Sequence, residues 1–252
     1  MSAEMTDAGR PGRTVAASAV VAALSSAFVD RNPPLAVDVP SVPAPGSGTG
    51  SMAVVDAVLG TFTTSFSCCE PRVTNIRLIA ATVDGTVVQP GEQLSLNGLV
   101  GRRTRAKGYV EAPFISGGML STDVGGGVSQ FATTMFNAAF FAGVPLDDFK
   151  AHSFYIGRYP PGREATINYP GVDLAWTNDT DTPLLVRTAT TGTSVTVALY
   201  GRDDGRTVTG TTEMAEARSG RGFTARVRRT IEVPGSAPKV ETFTTRYNRA
   251  PQ

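Results

Sequence analysis

Gly125-Gly126-Gly127-Val128-Ser129-Gln130-Phe131-Ala132-Thr133-Thr134-Met135-Phe136-Asn137-Ala138-Ala139-Phe140-Phe141-Ala142-Gly143 is the stretch on which the fold turns. From Ser129 to Ala142 it carries no charge, and Phe131, Met135, Phe136, Ala139 and Phe140 project around most of the circumference of a helix. A helix that is apolar nearly all round is a central, buried one. This one is too short to span a bilayer, and Gly143-Val144-Pro145 stops it.

Working outward, the segments downstream alternate apolar and polar residues between turn formers, as half-buried strands do. These are Ala165-Thr166-Ile167, Asp173 to Trp176, Pro183 to Thr188 and Ser194 to Tyr200. After a polar interval reaching Gly222, the runs Phe223 to Val233 and Val240 to Tyr247 flank Pro234-Gly235-Ser236 and predict a terminal hairpin. Upstream, Ile76, Ile79, Ala80 and Val83 have helical spacing over Arg72 to Val83, with Gly85 near the end. Thr86-Val87-Val88 and Leu94-Ser95-Leu96 flank Gln89-Pro90-Gly91 and read as a hairpin or a pair of short strands. Gly98, Gly101, Gly108, Gly117 and Gly118 then punctuate a loop-rich stretch. Helices early and strands late predict an α+β fold, a central buried helix packed on antiparallel strands with a C-terminal β-hairpin.

Pro40 to Ser51 has linker composition and divides the chain into an N-terminal piece, 1–50, a main domain, 51–201, and a C-terminal extension, 202–252. In the first piece, basic Arg10 and Arg13 precede the Ala-rich run Thr14 to Phe28, which is too short and weakly apolar to be a firm transmembrane segment. Two readings stand: an export signal, with Ala17-Ser18-Ala19 or Ser25-Ser26-Ala27 as cleavage sites, or a helix followed by a strand through Leu35, Val37 and Val39.

The chain of 252 residues is 41% apolar, enough for a sizeable core, and balances 23 Lys and Arg against 22 Asp and Glu. No net field draws in nucleic acid or an anionic membrane. Arg226, Arg228 and Arg229 read as a solvated strand face. The two cysteines are adjacent, Cys68-Cys69, and are expected as free thiols in a loop in preference to a vicinal disulfide, which needs a strained small ring. With a single histidine, His152, they exclude the usual zinc site. No Walker loop, dinucleotide fingerprint or Gly-x-Ser-x-Gly elbow is present, and no cofactor is expected.

The glycines before the buried helix permit close backbone approach to a ligand, and the helix start supplies unpaired N–H groups and partial positive charge. Ser129 as nucleophile, His152 as base and Asp173 or Asp179 as its orienting carboxylate would form a triad. Gln130 or backbone N–H groups would stabilise an anion. Gly125, Gly126, Gly127, Gln130, Thr133 and Arg163 are the candidate binding residues. The plainer alternative makes Ser129 an N-cap, the glycines a packing device and His152 a structural hydrogen-bonding residue.

The succession Phe62-Thr63-Thr64, Arg72, Asn75-Ile76, Pro90-Gly91-Glu92, Leu94-Ser95-Leu96-Asn97, Val100-Gly101-Arg102-Arg103-Thr104 and Gly108-Tyr109 resembles the VanW family in order and spacing. So do the Gly125 to Gln130 turn with Thr133-Thr134 and Asn137-Ala138-Ala139, then Gly143, His152-Ser153, Tyr159, Gly162 to Thr166, Asp173-Leu174 and Asn178. The match runs from about Leu59 to Gly201. The resemblance implies an extracytoplasmic place in the cell envelope and a partner in peptidoglycan or its precursors, with no defined reaction. Many family members have cysteine where this chain has Ser129, and a hydroxyl is a far weaker nucleophile unless a base activates it. A fainter resemblance, to transglutaminase-like and papain-like enzymes, lies in the order Ser129, His152, Asp173. Three functions follow as expectations: binding of cell-wall material, Ser/His-dependent acyl transfer or amide hydrolysis on stem peptides, and structural assembly in the envelope.

Overall fold

The computed structural model describes residues 57–116, 119–216 and 222–249, together with a short antiparallel pairing of Gly12–Arg13 with Ser41–Val42. The Ala-rich run, the strand through Leu35 to Val39, most of the linker, and Gly117 and Gly118 lie outside the described residues.

Strand β1 (Ala57–Ser65) leads through a turn to helix α1 (Pro71–Val83), then to strands β2 (Val87–Val88) and β3 (Gln93–Ser95) and short helix α2 (Leu96–Val100). Strands β4 (Glu111–Ser116) and β5 (Met119–Val124) precede the central helix α3 (Ser129–Ala142). Strands β6 (Leu146–Asp148), β7 (Ala175–Thr177), β8 (Leu184–Thr190) and β9 (Ser194–Gly201) follow, and then β10 (Thr207–Glu216), β11 (Gly222–Glu232) and β12 (Lys239–Asn248). All pairings among these strands are antiparallel, in a four-stranded sheet β1-β9-β8-β2, three-stranded sheets β3-β7-β6 and β10-β11-β12, and the hairpin β4-β5. The mixture of mainly antiparallel strands with few helices is α+β.

Helix α3 is the centre of the core. Phe131, Met135, Phe136, Ala139 and Phe140 are fully buried, each of the large side chains contributing about 1.5–3 kcal/mol of burial. The four-stranded sheet reaches the helix because β1 carries glycine at the crossing: a Cβ on Gly60 would stand 2.2 Å from Ala138 O and 2.3 Å from Ala142 N. Helix α1 begins with proline, buries Val73, Ile76, Ile79, Ala80 and Val83, and is tied to β8 at its end. There Asp84 accepts from Arg187 Nε at 2.9 Å and from Thr188 N at 2.8 Å.

One open alternative is decided, and three local expectations are corrected. Strands β2 and β3 flank Pro90 but join different sheets, so they are a pair of short strands and not a hairpin. The loop-rich stretch contains the β4-β5 hairpin. The polar interval before Gly222 contains β10, a sheet-edge strand mostly exposed on both faces, so backbone pairing alone defines it and no apolar alternation betrays it. Ala165 to Ile167 is not in a strand. Its backbone bonds to side chains of α3.

Arg226 and Arg228 are exposed on β11 as expected, but Arg229 points the other way and is fully buried. It pairs with Glu241 and donates to Phe140 O at 3.2 Å and Val144 O at 3.1 Å. Its guanidinium thus answers the negative end of α3.

Candidate functional site

Three side chains spaced four apart on α3 hold the extended segment 163–167. Ser129 Oγ accepts from Ile167 N at 3.3 Å, and Thr133 Oγ1 donates to Ala165 O at 3.0 Å and accepts from Ala165 N at 3.1 Å. Asn137 Nδ2 donates to Arg163 O at 2.9 Å. Four helical residues advance about 6 Å and two extended residues about 6.6 Å, so the repeats nearly match. Ser129 is the first helical residue rather than the N-cap, which is Val128, and its hydroxyl is half-buried in this ladder.

The glycine turn makes its close approaches to the chain itself. A Cβ on Gly126 would lie 2.0 Å from Ala112 O, one on Gly125 2.7 Å from Arg103 Cβ, and one on Gly127 2.6 Å from Arg72 Cβ. Asn75 clamps the turn from α1, donating through Nδ2 to Gly126 O and Val110 O, both at 2.9 Å, and accepting from Val110 N at 2.8 Å.

Gln130 follows directly and is buried, but its amide gathers charge. Nε2 donates to Thr64 Oγ1 at 3.0 Å and Ser65 O at 2.9 Å, while Oε1 accepts from Arg72 Nη2 at 2.8 Å and Arg158 Nη1 at 3.3 Å. Burial, then the neighbouring Arg158 charge, pulls the Arg72 pKa below its ordinary value, with Tyr159 and Glu70 acting in the opposite sense. Burial also pushes the Tyr159 phenol up, against the pull of Arg158 and Arg72.

Tyr159 connects this cluster to the histidine. Its ring stacks on His152 with centroids 5.9 Å apart and planes inclined by 16°. The buried His152 Nδ1 faces Glu164 Oε2 at 2.5 Å, an imidazole N–H to carboxylate contact. Tyr247 lies behind the carboxylate: its phenol accepts from Gly162 N at 2.8 Å, and burial followed by the influence of Glu164 raises its pKa above the ordinary tyrosine range.

The expectation that Asp173 or Asp179 orients His152 is corrected, because Glu164 occupies that position. Asp173 accepts instead from Ser95 Oγ at 2.5 Å and Asn97 N at 2.8 Å, fixing the start of α2, and Asp179 lies 3.8 Å from Arg206 Nη1. Ser129 and His152 each hydrogen-bond elsewhere, to Ile167 and Glu164, and not to one another. Arg163 belongs to the other end of α3, where its guanidinium lies 5.6 Å and 5.1 Å from the Phe140 and Phe141 ring centres. Sequence reasoning missed Arg72, Arg158 and Glu164 as site residues. The first and last stand within the family-like succession, but nothing in linear order shows that Arg158 meets Gln130.

Cys68 and Cys69, expected as free thiols, are joined to each other in the exposed turn before α1. Among the described residues no group of His, Cys, Asp and Glu side chains could hold a metal ion, and no helix is long and apolar enough to cross a membrane.

A family model described as VanW like protein matches residues 71–200. The chain is 41% identical over 146 residues to the uncharacterised protein YoaR of Bacillus subtilis, covering 58% of this chain and 48% of that one. It is 30% identical over 119 residues to the vancomycin B-type resistance protein VanW of Enterococcus faecalis, covering 44% of this chain and 42% of the other. The chain therefore spans less than half the length of these curated relatives. No solved structure matches it.

Proposed function

The chain belongs to the VanW family, and on that premise we propose that it is an accessory protein of the cell envelope whose patch around Gly125 to Gln130 binds cell-wall material, peptidoglycan or its precursors. The observation that carries this reading is the junction at Tyr159, which lies against His152 on one side and acts on Arg72 and Arg158 on the other. Residues far apart in sequence thereby form one patch at the start of α3. Binding is favoured over chemistry because the Ser129 hydroxyl serves the ladder to Ile167 and has no hydrogen bond to the imidazole. The name of the enterococcal relative, a vancomycin resistance protein, directs the choice of ligand to the cell wall.

The test is co-sedimentation of the purified chain with isolated sacculi over a range of salt. Retention that Gln130→Ala weakens supports the reading, and no retention at any salt concentration removes it.

One observation favours a second reading, an amide hydrolase or acyl transferase acting on stem peptides through Ser129. His152 has a buried carboxylate on Nδ1, as an imidazole base requires. Mass spectrometry of muropeptides incubated with the chain decides it: new products that disappear in Ser129→Ala support the enzyme, and unchanged muropeptides dismiss it.

A further inference from the structure

We propose that Arg72 and Arg158 form a receptor for a carboxylate, the free carboxylate of a cell-wall peptide. This deepens the function proposed above and rests on it.

Both guanidiniums converge on a single neutral oxygen, Gln130 Oε1, at 2.8 Å and 3.3 Å. Neither has an ion pair among the described residues, and the further hydrogen-bonding partner of Arg72 is the phenol of Tyr159. An amide oxygen can accept both hydrogen bonds but brings no charge to offset two cations. Each guanidinium presents five donors, so most of the N–H groups of the pair are left for other acceptors. Planar forks of this kind match an oxyanion through paired, charge-assisted hydrogen bonds.

The position suits a ligand arriving from solvent. Arg158 is exposed and Arg72 half-buried, while Gln130 is buried beneath them and anchored to Thr64 and Ser65. Gly127 lies under Arg72 with no room for a side chain, which fixes the near end of that arginine. Arg72 is therefore held before the ligand arrives, which lowers the ordering cost of binding. Two guanidiniums that share one neutral acceptor suit an oxyanion, and a carboxylate matches a guanidinium fork through two parallel hydrogen bonds.

The experiment is an NMR titration of the full chain with N-acetyl-alanyl-alanine, its C-terminal amide and inorganic phosphate, using wild type, Arg158→Ala, Arg158→Lys and Arg72→Ala. Sacculus co-sedimentation is run on the same proteins. Because Arg158 is exposed, its variants keep the fold, which their spectra verify. The free acid is expected to shift the amide signals of Gly127 to Gln130 and the amide form is not. Arg158→Ala weakens binding by about tenfold or more, the loss of a charged hydrogen bond, with partial recovery in Arg158→Lys. Equal response to acid and amide, an unchanged affinity in Arg158→Ala, or a response to phosphate alone overturns the carboxylate receptor. Retention on sacculi that is indifferent to both arginines also overturns it and leaves the cell-wall reading standing. Arginine-dependent binding of the free acid without retention on sacculi supports the receptor and overturns the cell-wall reading.

Discussion

Thr133 uses one hydroxyl to satisfy both backbone groups of Ala165, donating to its carbonyl at 3.0 Å and accepting from its N–H at 3.1 Å. Both residues are fully buried, so water cannot replace either bond. Thr133→Val keeps the shape and strands two backbone groups, at an expected cost of about 2–4 kcal/mol in urea unfolding. Ser129→Ala removes a single longer bond at a half-buried rung, and is expected to cost about 1 kcal/mol or less. If the serine proves the costlier of the two, the helix is not holding segment 163–167 in this way.

The glycine turn has no room for a side chain at its centre. A methyl at Gly126 would meet Ala112 O at 2.0 Å and Ala112 C at 2.5 Å, and both are backbone atoms. The strand cannot retreat, because Asn75 ties it and the turn together through Val110 and Gly126. Gly126→Ala is expected to cost about 4 kcal/mol or more, seen as a collapse of the thermal midpoint. Gly171→Ala, with nothing within 4 Å of the new methyl, is expected to stay within about 0.5 kcal/mol of the parent.

These two cases mark what was legible in the sequence. The uncharged run of α3 specifies its own burial, and the long strands β8, β9, β11 and β12 announce themselves by alternation, since each has one face toward the core. Strand β10 has no such face, and β1 departs from alternation where Gly60 crosses the helix. In the site, Ser129, Gln130 and His152 stood out by residue type and position, but their partners are set by long-range packing. Arg158 reaches Gln130 across 28 positions, and Glu164 reaches His152 across 12. Asp173 drew attention as a carboxylate on a strand, yet linear order cannot separate an acid that orients a histidine from one that fixes a helix start.

Glu164 is fully buried, and its partners are the His152 ring and the neighbourhood of Tyr247. Removing the carboxylate leaves a buried imidazole N–H without an acceptor. Glu164→Ala is expected to destabilise the chain by about 3 kcal/mol or more, measured by chemical denaturation. Glu164→Gln keeps an acceptor for the ring and is expected to lose much less. Equal losses in the two variants would show that neither the shape nor a neutral acceptor suffices, and that the negative charge of Glu164 is what the site needs.

Alkaline stability follows from the buried phenols. Tyr109, Tyr159, Tyr200 and Tyr247 all have pKa values raised above the ordinary 10.0, in each case first by burial. The folded state therefore keeps these protons at pH values where the unfolded chain releases them. Stability is fully present below pH 10 and falls as pH rises from there toward the folded values. Urea midpoints measured at increasing pH above 10 are expected to decline, with a shallower slope in Tyr247→Phe. A flat profile through this range would contradict the burial of these groups.

Arg229 makes the C-terminal meander part of the core. Its guanidinium bonds to Phe140 O and Val144 O, pairs with Glu241, and lies 5.2 Å from the Phe140 ring centre and 5.6 Å from that of Phe243. From the start of the same sheet, Arg206 Nη1 adds a bond to Ala142 O at 3.2 Å. The last carbonyls of a helix have no partners within the helix, and here two arginines from β10 and β11 or their approaches supply them. Arg229→Ala leaves Glu241 with Lys239 as its partner and Phe140 O with only the Gly143 N–H, strips Val144 O of its guanidinium donor, and opens a cavity, so it is expected to cost about 3–5 kcal/mol in chemical denaturation. Truncation before Arg202 removes both arginines and uncovers Phe140, so the shortened chain is expected to lose cooperative unfolding and to bind a hydrophobic dye. A truncated chain that unfolds with the parent's midpoint would mean that the helix end is stable without the meander.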